Sequence, residues 1–143
     1  MSEVDLSGRV AVVTGAGKGL GRAYALCLAA RGAAVVVNNR RHAGESTEET
    51  SAWLTVQAIK AGGKAVANFS SVEAEDAGLA MVRDALDAFG RLDIVVANAA
   101  APQAAGFNKT DLATFRQVFG VGFLGTLNLL HAAWPVFREA GYG

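Results

Sequence analysis

The stretch Thr14-Gly15-Ala16-Gly17-Lys18-Gly19-Leu20-Gly21 is the part of this 143-residue chain best suited to chemistry. Gly15, Gly19 and Gly21 form a G-x-x-x-G-x-G pattern. Glycines permit a tight turn and let backbone N–H groups approach a phosphate with no Cβ in the way. The stretch follows a short apolar run and opens a segment of helical periodicity. Its amides therefore fall at a helix start, where unpaired N–H groups and the positive dipole end attract an anion. A dinucleotide pyrophosphate fits that arrangement; a glycine-rich turn without a ligand is the competing reading. A G-x-x-x-x-G-K-[ST] phosphate loop is excluded, because Lys18 precedes Gly19 and no Gly-Lys-Ser/Thr occurs.

The elements that must position this loop can be read from periodicity. Val10 to Val13 and Val35 to Val37 are short continuous apolar runs, the pattern of strands buried on both faces. Ala65 to Phe69 and Leu92 to Ala97 give a third and a fourth strand. Between them lie helical patterns carrying Leu20, Tyr24, Cys27 and Leu28; then Trp53, Val56 and Ile59; then Leu79, Val82, Leu86 and Phe89. Gly32, Gly62-Gly63 and Gly90 close these helices. A last helix or helix pair carries Phe115, Phe119, Phe123, Leu127, Leu130 and Trp134, mostly four residues apart, with Pro135 a candidate kink. This alternation predicts an α/β fold, a doubly wound parallel sheet with helices on both faces; with strand one central, as in a Rossmann-type sheet, the four strands run in the order 3-2-1-4. The two longer loops, 38–46 and 98–110, follow strands two and four, at the carboxyl end of the sheet where such folds hold ligands. No linker divides residues 1–143, so one domain is expected.

Composition excludes several classes. The formal net charge is +0, and the pair Arg40-Arg41 is too small a basic patch for nucleic acid. Cys27 is the one cysteine, so no internal disulfide or thiolate cluster forms; its helical spacing predicts a buried, inert thiol. His42 and His131 show no metal-ligand spacing; His131 is expected to be packed or at an interface. Asp93 and Asp111 read as strand-entry and helix-capping residues. The acidic start Met1-Ser2-Glu3-Val4-Asp5 is unlike a signal peptide, and no uninterrupted apolar run reaches about 18 residues. A cytoplasmic protein with no membrane span is the expectation.

"TGAGKGLGRAYAL", with "VVANAA" after the fourth strand, resembles the short-chain dehydrogenase/reductase family. "GRAYALCLAARGAAVVVNN", "GGKAVANFSSVEA" and "HAAWPVFREAGYG" look most like its (3R)-hydroxyacyl-CoA dehydrogenase branch, found in multifunctional β-oxidation enzymes. The resemblance implies hydride transfer between a nicotinamide and a 3-hydroxyacyl or 3-oxoacyl thioester. It places Gly15, Gly17, Lys18, Gly19, Leu20 and Gly21 at the cofactor phosphates. Ser70 and Ser71 fall at the adenine edge. Asn98, Ala99 and Ala100 fall beside the ribose, within an Asn-Asn-Ala-Gly motif that here has Ala97 for its first Asn and Ala100 for its Gly. The acidic position that would bond a ribose diol matches Asn39, and Arg40 follows it. A neutral Asn39 with Arg40 and Lys18 favours NADP over NAD, since arginine grips phosphate in bidentate fashion. Ordinary solvated surface charge is the alternative for those cations.

The family's Tyr-x-x-x-Lys acid/base pair has no counterpart: Leu28 stands four residues after Tyr24, and only Gly143 follows Tyr142. The family's helix Asn maps onto Gly122, with Asn128 pointing elsewhere. No catalytic residue is therefore expected in this chain, which reads as a cofactor-binding portion ending one strand short of the family's active site. An alternative is a non-catalytic half-domain subunit that pairs with a partner chain. Either way, strand four would be an open edge and the apolar face of the 111–140 helix would meet water. A homo- or hetero-oligomer through those surfaces is expected.

Overall fold

The computed structural model describes residues 4–101 and 105–143; part of the 98–110 loop thus lies outside the described residues. Four strands, β1 (Val10–Val13), β2 (Ala34–Asn38), β3 (Ala65–Asn68) and β4 (Ile94–Val96), form one sheet in the order β3-β2-β1-β4. Every pairing is parallel, with Val12 opposite both Val36 and Val95. Five α-helices accompany them among the described residues: α1 (Gly19–Ala30), α2 (Ser51–Lys60), α3 (Ala77–Phe89), α4 (Leu112–Phe119) and α5 (Gly125–Ala140). A π-helical turn, Gly120–Leu124, joins α4 to α5. The expected architecture and strand order are those observed.

The period-two alternation of the strands divides the core. Val10, Val12 and Val36 pack with Met81, Ala85 and Leu129 under α3 and α5. Val13, Val35 and Val37 pack with Ala25, Val56 and Ile59 under α1 and α2. Emptying the Leu129 site with alanine would cost about 2–5 kcal/mol.

Several helix faces differ from the periodicity reading, for one reason: close approach favours small residues. α1 buries Gly21 and Ala25, while Leu20 is 69% exposed and Tyr24 and Cys27 are also exposed. The Cys27 sulfur accepts a hydrogen bond from Arg31 Nη1 at 2.7 Å and is not a core thiol. α3 buries Ala77, Gly78, Met81, Val82 and Ala85, leaving Leu79 and Leu86 outside. A Cβ at Gly78 would come within 2.2 Å of the Asn128 carbonyl, so the α3–α5 crossing depends on the missing side chain. α5 stays helical through Pro135, and the break in regular α-helix falls at Gly120–Leu124 instead. His131 is exposed rather than packed within this chain.

Phe119, Phe123, Leu127, Leu130 and Trp134 all face outward, and Trp134 is 62% exposed. β4 is an edge strand, as expected. The helical stretch Leu112–Ala140 is long and apolar enough, by length and composition alone, to cross a bilayer. Its buried residues nevertheless pack on α3 and the sheet as one layer of the fold.

Candidate functional site

A cleft of about 770 Å³ opens at the carboxyl ends of the strands. Its floor is the turn between β1 and α1. Gly15 and Gly19 adopt positive φ, +63° and +54°, which a side chain would strain. Gly21 and Gly17 are bare for a different reason. A Cβ at Gly21 would lie 2.4 Å from the Gly15 carbonyl and 2.5 Å from Asn98 Nδ2. One at Gly17 would lie 2.2 Å from Ser51 Oγ. The turn is thus pinned between β4 and α2, and Thr55 Oγ1 adds a hydrogen bond to the Gly17 carbonyl at 3.3 Å.

α1 begins at this turn with no side-chain cap and no acidic residue in its first turn. By contrast, Thr50 caps α2 and Asp111 caps α4 through hydrogen bonds to Trp53 N and Thr114 N. The Asp111 carboxyl is held below its usual range by the Thr114 N–H. At α1, the corresponding donors remain free to face an anion.

Gly15, Lys18, Gly19 and Leu20 line the cleft, whereas Gly17 and Gly21 shape it from behind. Asn39 and Arg40 line the β2 side, Ser70 and Ser71 the β3 side, and Asn98, Ala99 and Ala100 the β4 side. The fold therefore brings eleven of the thirteen expected residues to one surface, with the other two directly beneath it.

A polar network links these loops to the sheet and to α3 and α5. Thr14 Oγ1 accepts from the N–H groups of Asn98 and Ala99, each at 3.0 Å. Asn98 Nδ2 donates to the Thr14 carbonyl at 3.0 Å and the Gly15 carbonyl at 3.4 Å. Ala100 needs no glycine conformation, since no non-glycine residue among those described has positive φ. Across the cleft, buried Asn38 donates to Asn68 Oδ1 at 2.8 Å and to the Ser70 carbonyl at 2.9 Å. Asn68 in turn donates to Asp84 Oδ2 at 2.7 Å. Asn128 Nδ2 ties α5 to the Val72 carbonyl at 3.3 Å.

Sequence reasoning missed Asn38, Val72, Glu73, Ala101, Gln117 and Val121, which also line the cleft. Asn38 carried one usable signal, a buried-strand position filled by an amide. The rest arrive from the 69–76 segment, from the loop after β4 (Ala101) and from the helical stretch beyond it (Gln117, Val121), and carried none.

The cations in and beside the cleft differ in their commitments; Arg41 stands outside it. Arg41 donates to the Glu45 carbonyl at 3.0 Å and to Thr47 Oγ1 at 3.3 Å, and its guanidinium lies over Phe69. Lys18 and Arg40 line the cleft with no side-chain partner among the described residues. At the other end of the sheet, Asp93 is buried. It accepts from Val10 N at 2.8 Å, Arg9 at 3.1 Å, Arg91 at 2.7 Å and Tyr142 Oη at 2.6 Å. Burial alone would raise its pKa, but the bonds from Arg91, Tyr142, Val10 and Arg9 outweigh that and hold it well below the usual carboxylate range. No group of three His, Cys, Asp or Glu residues comes together among the described residues.

A sequence profile described as short chain dehydrogenase matches residues 9–143. A short-chain type dehydrogenase/reductase of Mycobacterium tuberculosis is 44% identical over 94% of this chain and 48% of its own length. The peroxisomal hydratase-dehydrogenase-epimerase of Neurospora crassa is 45% identical over 99% of this chain and 14% of its own. The peroxisomal multifunctional enzyme type 2 of Mus musculus is 41% identical over 99% of this chain and 19% of its own. The chain thus spans about half the length of the mycobacterial protein and less than that of the multifunctional enzymes. A crystal structure of a short chain dehydrogenase from Mycobacterium avium superposes with a TM-score of 0.89, at 35% identity, over 98% of this chain and 52% of that one. With a family profile over nearly every residue and the same parallel sheet in a solved relative, the chain belongs to the short-chain dehydrogenase family.

Proposed function

We propose that residues 1–143 are the N-terminal, cofactor-binding portion of a single Rossmann domain in an NADP-dependent oxidoreductase. The observation that carries this reading is the close fit of Gly21, Gly15 and Asn98, which shapes a bare, uncapped helix start beneath the cleft. The family comprises oxidoreductases that use a nicotinamide dinucleotide. The residues present fit such a ligand: uncapped helix-start amides for the diphosphate, Lys18 and Arg40, without side-chain partners among the described residues, for a 2′-phosphate, and Ser70 and Ser71 at the adenine end.

When bound, the nicotinamide supplies or accepts a hydride. This chain's contribution is to hold the cofactor and aim it. Asn98 fixes the glycine turn, α1 offers its first N–H groups, and Arg40 meets negative charge at the ribose. The substrate in this proposal is a 3-hydroxyacyl or 3-oxoacyl thioester, or a similar alcohol or ketone. The resemblance of "GRAYALCLAARGAAVVVNN" and "HAAWPVFREAGYG" to the (3R)-hydroxyacyl-CoA dehydrogenase branch supports that choice, and the name of the Neurospora crassa relative includes a dehydrogenase. The chain contains no Tyr-x-x-x-Lys, and Gly122 stands with open space around its Cβ position, so we propose that it does not turn over alone.

The test is binding and turnover together. Titration with NADPH is expected to saturate with higher affinity than NADH, while NADPH oxidation with an acetoacetyl thioester stays at background. Tighter NADH binding would reject the NADP preference, and turnover by the chain alone would reject the account of its chemistry.

The outward Phe119–Trp134 stripe and the β4 edge favour the oligomeric reading as well. We propose that another chain covers them. Phe119→Glu is expected to shift sedimentation toward the monomer; a wild-type chain that sediments as a soluble monomer would reject this.

A further inference from the structure

Asn39 is half-buried at the end of β2, and its amide has one favourable orientation. Its Nδ2 donates to Ser51 Oγ at 2.9 Å and to the Arg40 carbonyl at 3.4 Å. Turned over, the amide oxygen would face that carbonyl, acceptor against acceptor. The oxygen is therefore the group left over, with no partner among the described residues, on a residue that lines the cleft. An amide oxygen only accepts. It suits a ribose hydroxyl, which can donate. It does not suit a phosphate dianion, whose oxygens only accept. Arg40, next in the chain and also lining the cleft, has the opposite preference. Ser51 acts from behind. It opens α2 just after the Thr50 cap, and its hydroxyl lies where a Cβ on Gly17 would be, 2.2 Å away.

We infer that Ser51 is a specificity-setting positioning residue: by fixing the Asn39 amide it presents an oxygen to the adenosine ribose 2′-hydroxyl, giving the cleft a foothold for NAD(H) beside the one Arg40 gives NADP(H). This rests on the dinucleotide reading above. It goes further in placing control of the Asn39 contact on Ser51, a residue outside the cleft.

The test titrates the 143-residue chain with NADH and with NADPH, as wild type, Ser51→Ala, Asn39→Asp and the double variant. Ser51→Ala is expected to weaken NADH by about tenfold and NADPH by less than about twofold, the scale of one hydrogen bond. A carboxylate accepts through either oxygen and needs no orienting, so in the Asn39→Asp background Ser51→Ala is expected to change NADH by less than about twofold. Equal weakening of both cofactors by Ser51→Ala would mean that Ser51 only braces Gly17, and would overturn the inference. So would an undiminished NADH effect in the Asn39→Asp background. A wild-type chain that binds neither cofactor would overturn the dinucleotide reading itself, and this inference with it.

Discussion

The two ends of the sheet use their polar groups in opposite ways. At the amino end, the buried Asp93 carboxylate is surrounded by donors from Val10, Arg9, Arg91 and Tyr142, and Arg9 also lies over the Tyr142 ring. These groups satisfy one another across 84 residues of sequence and clamp the end of α5 to β1 and β4. At the carboxyl end, Lys18, Arg40 and the Asn39 oxygen have no side-chain partner among the described residues, and α1 is uncapped. The amino end commits its charged groups to the fold; the carboxyl end has its own Thr14–Asn98 and Asn38–Asn68 bonds but leaves its cations for something else. The same chain separates stability from binding by distance along its strands.

That contrast makes predictions that vary end by end. The largest effect is expected from Asp93→Ala, which leaves the buried Val10 N–H without its acceptor and removes the bonds from Arg9 and Arg91; it should cost about 3 kcal/mol in urea denaturation. Acid should expose the same group. Its folded-state pKa is depressed, so its stabilisation is fully present above the unfolded value of about 3.9 and is lost as pH falls below it. Asp93→Asn should accordingly flatten the acid limb of the stability curve. An unchanged acid limb would mean that the cluster does not control it.

Gly21→Ala is next, and belongs to the other end. The added methyl meets the Gly15 carbonyl and Asn98, so dinucleotide affinity should fall by about a hundredfold, roughly 2.7 kcal/mol. Wild-type affinity in this variant would remove the close packing from the account. Arg40→Ala should weaken NADPH about tenfold, with little change in urea midpoint. A loss of stability comparable to that of Asp93→Ala would erase the distinction between the ends. Smallest is Tyr142→Phe, which removes one donor to Asp93; about 1 kcal/mol of stability should go, with cofactor affinity unchanged.

The strands were legible because a parallel strand buried on both faces leaves an unbroken apolar run, as at Val10–Val13 and Val35–Val37. The glycine turn was legible because bare backbone can be written only with glycine. The helix faces were less so. Periodicity assigns the core to large residues such as Leu20 and Leu86, whereas tight helix–sheet contact selected Gly21, Ala25 and Ala85. Asp93 read as a strand-entry residue, yet its partners lie far away in sequence, at Arg9 and Tyr142, and no local pattern announces them. The Ser51–Asn39 bond was invisible for the same reason, since twelve residues and a loop separate the pair. Local spacing shows where backbone must approach a ligand; it does not show which side chains hold one another in wait.

The most direct measurement is an NADPH titration followed by backbone amide chemical shifts. The account predicts saturable shifts at Gly15 to Gly21, Asn39, Arg40, Ser70, Ser71 and Asn98 to Ala100, with Arg9, Arg91 and Tyr142 unmoved. Shifts centred on the Asp93 cluster, or none at the β1–α1 turn at saturating cofactor, would contradict it.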